Sequence, residues 1–147
     1  MDSGFKPRWL PTMIGSMPFS DVREAWNVIL AYFPEIPAWP QLPQRSFLEN
    51  MYVQFSERFP GVVLQGERVY VDRDRDLNSP LERLYIAYLQ GDLGYGALSR
   101  DYARGLAYLL EGRAPFMQPA EAIKGQVTGP ISWGLAVTDR NRRPILY

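Results

Sequence analysis

The sequence predicts an α/β fold built on a parallel sheet, and three observations carry that expectation. Short extended stretches alternate with stretches whose apolar residues recur at helical spacing. Prolines, glycines and capping residues punctuate the boundaries between them. The composition, 46% hydrophobic and 22% charged over 147 residues, is that of one folded domain with a sizeable core.

Taken in order, Pro11 to Met17 reads as a first strand, running into Gly15 and closed by Pro18. Ser20 is placed to cap a helix whose Val22, Ala25, Trp26, Ile29 and Phe33 share one face. Pro34 ends it, because proline cannot extend the hydrogen-bond ladder. A brief extended piece, Glu35 to Trp39, follows among prolines. Ser46 and Glu49 then form a capping-box pattern that opens a second helix toward Phe59, stopped by Pro60-Gly61.

Val62 to Leu64 and Arg68 to Val71 predict a hairpin turned at Gly66. Ser79-Pro80-Leu81-Glu82 marks another helix start and Gly91 its end. A helix is expected from Ser99 to Glu111, a strand from Ala122 to Val127, and a helix over Ile131 to Val137 entered through Thr128-Gly129-Pro130. Pro144 is placed to open one more helix just before the final Tyr147. Few barrel-type strands are visible, against the roughly 250 residues of a closed eight-strand barrel. The chain therefore reads as the truncated amino-terminal portion of a larger α/β fold.

Charge and residue content narrow the chemistry. Sixteen basic residues balance sixteen acidic ones, so nothing favours nucleic acid or an anionic membrane as a partner. No apolar run approaches the roughly 20 residues that span a bilayer. The first residues lack the basic and apolar regions of a secretory signal, so the expected location is cytoplasmic. The chain has no Cys and no His, which removes thiol nucleophiles, imidazole acid–base chemistry and zinc ligands of those types from it. Asp72 to Asn78 alternates acids as a calcium loop does, but Leu77 and Arg83 stand where such a loop needs glycine and glutamate. A self-paired exposed loop is expected instead. Tyr52, Tyr85, Tyr88, Tyr95, Tyr102 and Tyr108 fall mostly at helical spacing and read as core, whereas Trp39, among prolines, is a pocket candidate.

Three blocks carry a family resemblance. Thr12-Met13-Ile14-Gly15-Ser16-Met17-Pro18 resembles the T-x-I-G-S-F-P opening of the catalytic barrel of cobalamin-independent methionine synthase. Asn50-Met51, Phe55 and Glu57-Arg58, ending at Gly61, resemble the helix after that family's second strand. Lys124-Gly125-Gln126-Val127-Thr128-Gly129-Pro130-Ile131 is similar to its K-G-x-x-T-G-P-V/I strand. The blocks stand in the family's order and span nearly the whole chain. Uroporphyrinogen decarboxylase, of the same superfamily, has a G-Q-x-x-G-P-like strand as well.

The resemblance implies that residues 1–147 form the N-terminal part of a single TIM (β/α)8 barrel, incomplete in this chain. It implies that Ile14, Gly15 and Ser16 hold an amino-acid-like substrate, homocysteine or methionine, by its carboxylate. Thr128 and Gly129 of the third block join that substrate-binding set. The family carries a glutamate for the substrate's ammonium where Gln44 and Arg45 stand here, with no acid in the adjoining sequence. That departure points to another small acid, another pose or another methyl acceptor. The family's zinc, which activates the thiolate, is bound in the later half of the barrel, so this chain is expected to hold no cofactor and to be inactive alone. Short relatives of this type imply a corrinoid protein as a possible methyl donor. Two further readings stand beside methyl transfer: a uroporphyrinogen decarboxylase-like reaction on another substrate, and a non-catalytic fragment that forms a homo-oligomer through an exposed sheet edge.

Overall fold

The computed structural model describes residues 5–6 and 8–146, and these form a mixed α/β protein. The helices are α1 (Val22–Tyr32), α2 (Met51–Gln54), α3 (Asn78–Gln90), α4 (Arg104–Leu110) and α5 (Pro130–Ala136). The strands are β1 (Val62–Gln65), β2 (Arg68–Val71) and β3 (Thr138–Asp139). The chain divides into two compact units: residues up to Asn50 with Ala103–Gln126, and Met51–Tyr102 with the residues from Val127 on.

In the first unit, three extended segments run parallel without forming a full ladder. Ser16 pairs with Gln41 and Ala38 with Lys124, so the segment around Ile36–Gln41 lies between the other two. Gln41 N–H donates to Gly15 O (2.7 Å), Met17 N–H to Gln41 O (2.9 Å) and Lys124 N–H to Pro37 O (2.9 Å). The expected strands at Pro11–Met17 and Ala122–Val127 thus contribute isolated pairings rather than continuous strands. The reason is local: Pro37 and Pro40 have no N–H to donate, so the central segment cannot maintain a regular ladder.

Helix α1 buries the Ala25, Trp26 and Ile29 face that its spacing predicts. Its cap is Asp21 rather than Ser20. The Asp21 carboxylate accepts from both Arg23 N–H (2.7 Å) and Glu24 N–H (3.1 Å), and a negative charge also suits a helix N-terminus. Trp26 donates its indole N–H to Gly105 O (3.2 Å) and lies against Phe116, whose ring centre is 5.8 Å away. The helix expected from Ser99 to Glu111 is shorter, Arg104–Leu110.

The helix expected from Ser46 is broken in two. Ser46 Oγ does accept from Leu48 N–H, but only a 3-10 turn, Phe47–Glu49, follows, and Asn50 is extended before α2 begins. Glu49 does not close the capping box. Its carboxylate turns back to Leu42 N–H, which interrupts the regular helix.

The second unit holds the sheet, in the order β1-β2-β3. The β1–β2 hairpin is antiparallel with Gly66 in the left-handed region at φ 58°, as the sequence predicts. Strand β3 adds to β2 in parallel. Val71 of β2 forms an apolar cluster with Trp133 and Val137, and Tyr52, Val62, Val69 and Ile145 pack against it. Trp133 donates to Ser56 Oγ (2.8 Å) and its ring lies 4.6 Å from that of Phe59. Pro144 opens no helix; it pairs antiparallel with Thr138, and Asp139 N–H donates to Arg143 O (2.7 Å).

Helix α3 ends at Gly91 in the left-handed conformation. Its start is held by Asp76, which accepts from Asn78 N–H (3.0 Å) and from the Ser79 hydroxyl (2.7 Å). The tyrosines read as core depart from that expectation here. Tyr85 and Tyr88 are exposed, while Tyr108 of α4 is buried. The acidic loop before α3 is not wholly exposed either: Asp72 is buried and ion-paired with Arg140 (2.7 Å) and Arg75 (3.4 Å).

Candidate functional site

The candidate site is built at the C-terminal ends of the parallel segments in the first unit. Gly15 is buried and its N–H donates to Gln126 Oε1 (2.8 Å). Gln126 in turn donates from Nε2 to Gln41 Oε1 (2.8 Å). A side chain at Gly15 would collide with Gln126 and with the carbonyl of Trp39, so only glycine permits this approach. Ser16, next along, is exposed, and its row is fixed by pairing with Gln41. Ile14 is exposed as well.

Lys124 and Gln126 stand two apart and so share a face of an extended segment. Gln126 reaches Gly15, and Lys124 Nζ donates to Met13 O (2.8 Å). Trp39 is buried within the same unit, and a Cβ built on Gly125 would come within 4.0 Å of its indole nitrogen.

The second segment ends in a tight turn. Arg45 N–H donates to Leu42 O (2.9 Å), which places Gln44 and Arg45 directly beyond Gln41. Gln44 is exposed. Arg45 Nη1 donates to Glu49 Oε1 at 2.7 Å, while Leu42 N–H donates to Glu49 Oε2 at 3.0 Å. Burial pushes the Glu49 carboxyl above its ordinary range, opposed by the Leu42 N–H, by Arg45 and by the Arg104 backbone N–H. An acid therefore does lie beside Arg45, four residues further along than the family pattern suggests.

Ile14, Gly15, Ser16, Trp39, Gln44 and Arg45 all belong to the first unit. Thr128 and Gly129 belong to the second, where the Thr128 hydroxyl donates to Met51 O (2.7 Å) and Gly129 caps α5. Sequence reasoning missed Gln41, Glu49, Lys124 and Gln126. The i,i+4 spacing of Arg45 and Glu49 was a usable signal. Nothing local marks Gln126 as the partner of Gly15. Grooves of about 420 and 550 Å³ lie elsewhere among the described residues, the first lined by Leu30, Pro34 and Phe116 and the second by Leu84, Tyr88 and Leu93. Neither includes Ser16 or Arg45.

Comparison with protein-family models, curated proteins and solved structures finds no match.

Zinc bound as in the methionine synthase family needs imidazole and thiolate donors, and the sequence has neither His nor Cys. Among the described residues no three Asp or Glu side chains gather as a metal site. The residues of this chain do not fit that metal. No helix among the described residues is long and apolar enough to cross a membrane.

Proposed function

We propose that this chain forms the substrate-binding wall of a (β/α)8-barrel methyltransferase similar to cobalamin-independent methionine synthase, as its amino-terminal portion. The observation that carries the reading is the bond from Gly15 N–H to Gln126 Oε1. It joins the I-G-S block to the K-G-Q-V-T-G-P block across 111 residues, at one end of parallel segments. Ligands of parallel α/β sheets bind at that end, beyond the carboxyl ends of the strands. Ser16 offers N–H and hydroxyl donors to a carboxylate there.

In this reading the chain binds and orients the small acid, and thiol activation and methyl transfer depend on zinc in the complete barrel. A corrinoid protein is the proposed methyl donor, and the proposed location is cytoplasmic. Calorimetric titration of the chain with homocysteine and methionine tests the reading. Binding that weakens by roughly tenfold in Ser16→Ala, about the value of one hydrogen bond to a charged group, is the expected result. Binding unchanged in that variant removes Ser16 from the site. Methyl transfer by the chain alone would overturn the dependence on zinc.

A second reading, a uroporphyrinogen decarboxylase-like reaction on another substrate, is favoured by one observation. Arg45 and its partner Glu49 occupy the region where an acid for the substrate ammonium is expected.

A further inference from the structure

We propose that Arg45 is an anion-binding residue, and that the small molecule taken here is a carboxylate that needs no ammonium group beside it. This rests on the substrate-binding role given to Gly15 and Ser16. Glu49 is only 1% exposed, and its two oxygens are occupied by Leu42 N–H and Arg45 Nη1. A carboxylate enclosed in this way cannot meet the ammonium of an amino acid. What it does is hold one edge of the Arg45 guanidinium, fixing the group's orientation.

Solvent still reaches the Arg45 side chain beyond this bond. The Arg45 side chain is 32% exposed, and Glu49 is its ion-pair partner among the described residues. A guanidinium has five donors in a rigid fork that matches a carboxylate two bonds at a time, so one bond to Glu49 leaves a second edge for a ligand. Topology puts that edge at the right end of the segments. Ser16 pairs with Gln41, and Arg45 sits in the turn that begins at the next residue, Leu42. The polarity of the subsite is thus opposite to one built to receive an ammonium.

Methionine and methylthiobutanoate, the same molecule without its amino group, are the probes, titrated calorimetrically into the full chain. Methylthiobutanoate is expected to bind with at least roughly tenfold lower Kd than methionine, because its carboxylate brings no positive charge toward Arg45. Arg45→Met alone would leave Glu49 buried without its cation and could unfold the chain. The double variant Arg45→Met/Glu49→Gln removes both charges together, and thermal melting checks that it folds. It is expected to lose methylthiobutanoate binding by roughly tenfold or more, with Arg45→Lys intermediate. Tighter binding of methionine than of methylthiobutanoate overturns the proposal. So does unchanged binding in a folded double variant, which would leave Arg45 as the neutraliser of Glu49 alone. If the double variant binds normally while Ser16→Ala does not, the Ser16 site stands and only this inference falls. If the unaltered chain binds neither probe, the substrate-binding reading itself falls.

Discussion

The segment Ile36–Leu42 of the first unit and helix α3 of the second are both rich in apolar residues, yet their environments are opposite. Every residue of the first is buried, whereas Ala87 is the one buried residue of α3. The segment has extended neighbours on both sides, and α1 lies within the same unit. Helix α3 packs against the 3-10 turn Leu93–Gly96 and leaves Leu81, Tyr85, Tyr88 and Leu89 facing outward. Apolar content therefore does not place a residue in the core; neighbours on both sides do.

Substitutions can break or sharpen this contrast, and the largest effect belongs to the first unit. Trp26→Ala removes a fully buried ring and its bond to Gly105 O, with an expected loss of about 3–5 kcal/mol by denaturant titration. A loss under about 1 kcal/mol would mean that this core is loosely packed. Next comes Gly15→Ala, which drives a methyl group into Gln126 and the Trp39 carbonyl. A loss of about 1–3 kcal/mol is expected, the usual cost of overpacking. Wild-type stability in this variant would mean that the two blocks do not meet there.

The titrating acids of the two units should respond to pH in opposite senses. Burial raises the Glu49 carboxyl above 4.5, so the stability associated with its protonated form is present below that value. It is lost as pH rises through the folded value. Asp139 is held below 3.8, first by the Arg143 N–H, so its contribution is present above 3.8 and disappears as pH falls. Both neutral variants stand for the protonated acid, so as pH rises through this range the melting temperature of Glu49→Gln should gain on wild type and that of Asp139→Asn should fall behind it. Parallel shifts would remove the contrast. The smallest effect is on α3: Tyr88→Ser, at a residue 79% exposed, should change stability by no more than about 0.5 kcal/mol. A larger loss would show that α3 is covered in solution.

Sequence by itself determined what depends on residues within about one turn of each other. The apolar face of α1, the hairpin at Gly66, the left-handed end of α3 at Gly91 and the start of α5 at Pro130 are all of this kind. Caps, φ restrictions and spacing act locally, so they are legible locally. The same local signals misled where a tertiary partner offered more. Ser46 caps as expected, but the Glu49 carboxylate found Leu42 N–H and Arg45, and the helix broke. At the candidate site, the exposure of Ser16 and the need for glycine at Gly15 fit a turn signal visible in the sequence.

Only the tertiary structure decided that Gln126 holds Gly15, that Gln41 joins them, and that Arg45 has an acid beside it. The first two pairings depend on the register of segments up to 111 residues apart. Prolines in the central segment weaken the backbone ladder that would otherwise announce that register. Side-chain amides carry part of the pairing there, and an amide side chain gives no periodic signal to read.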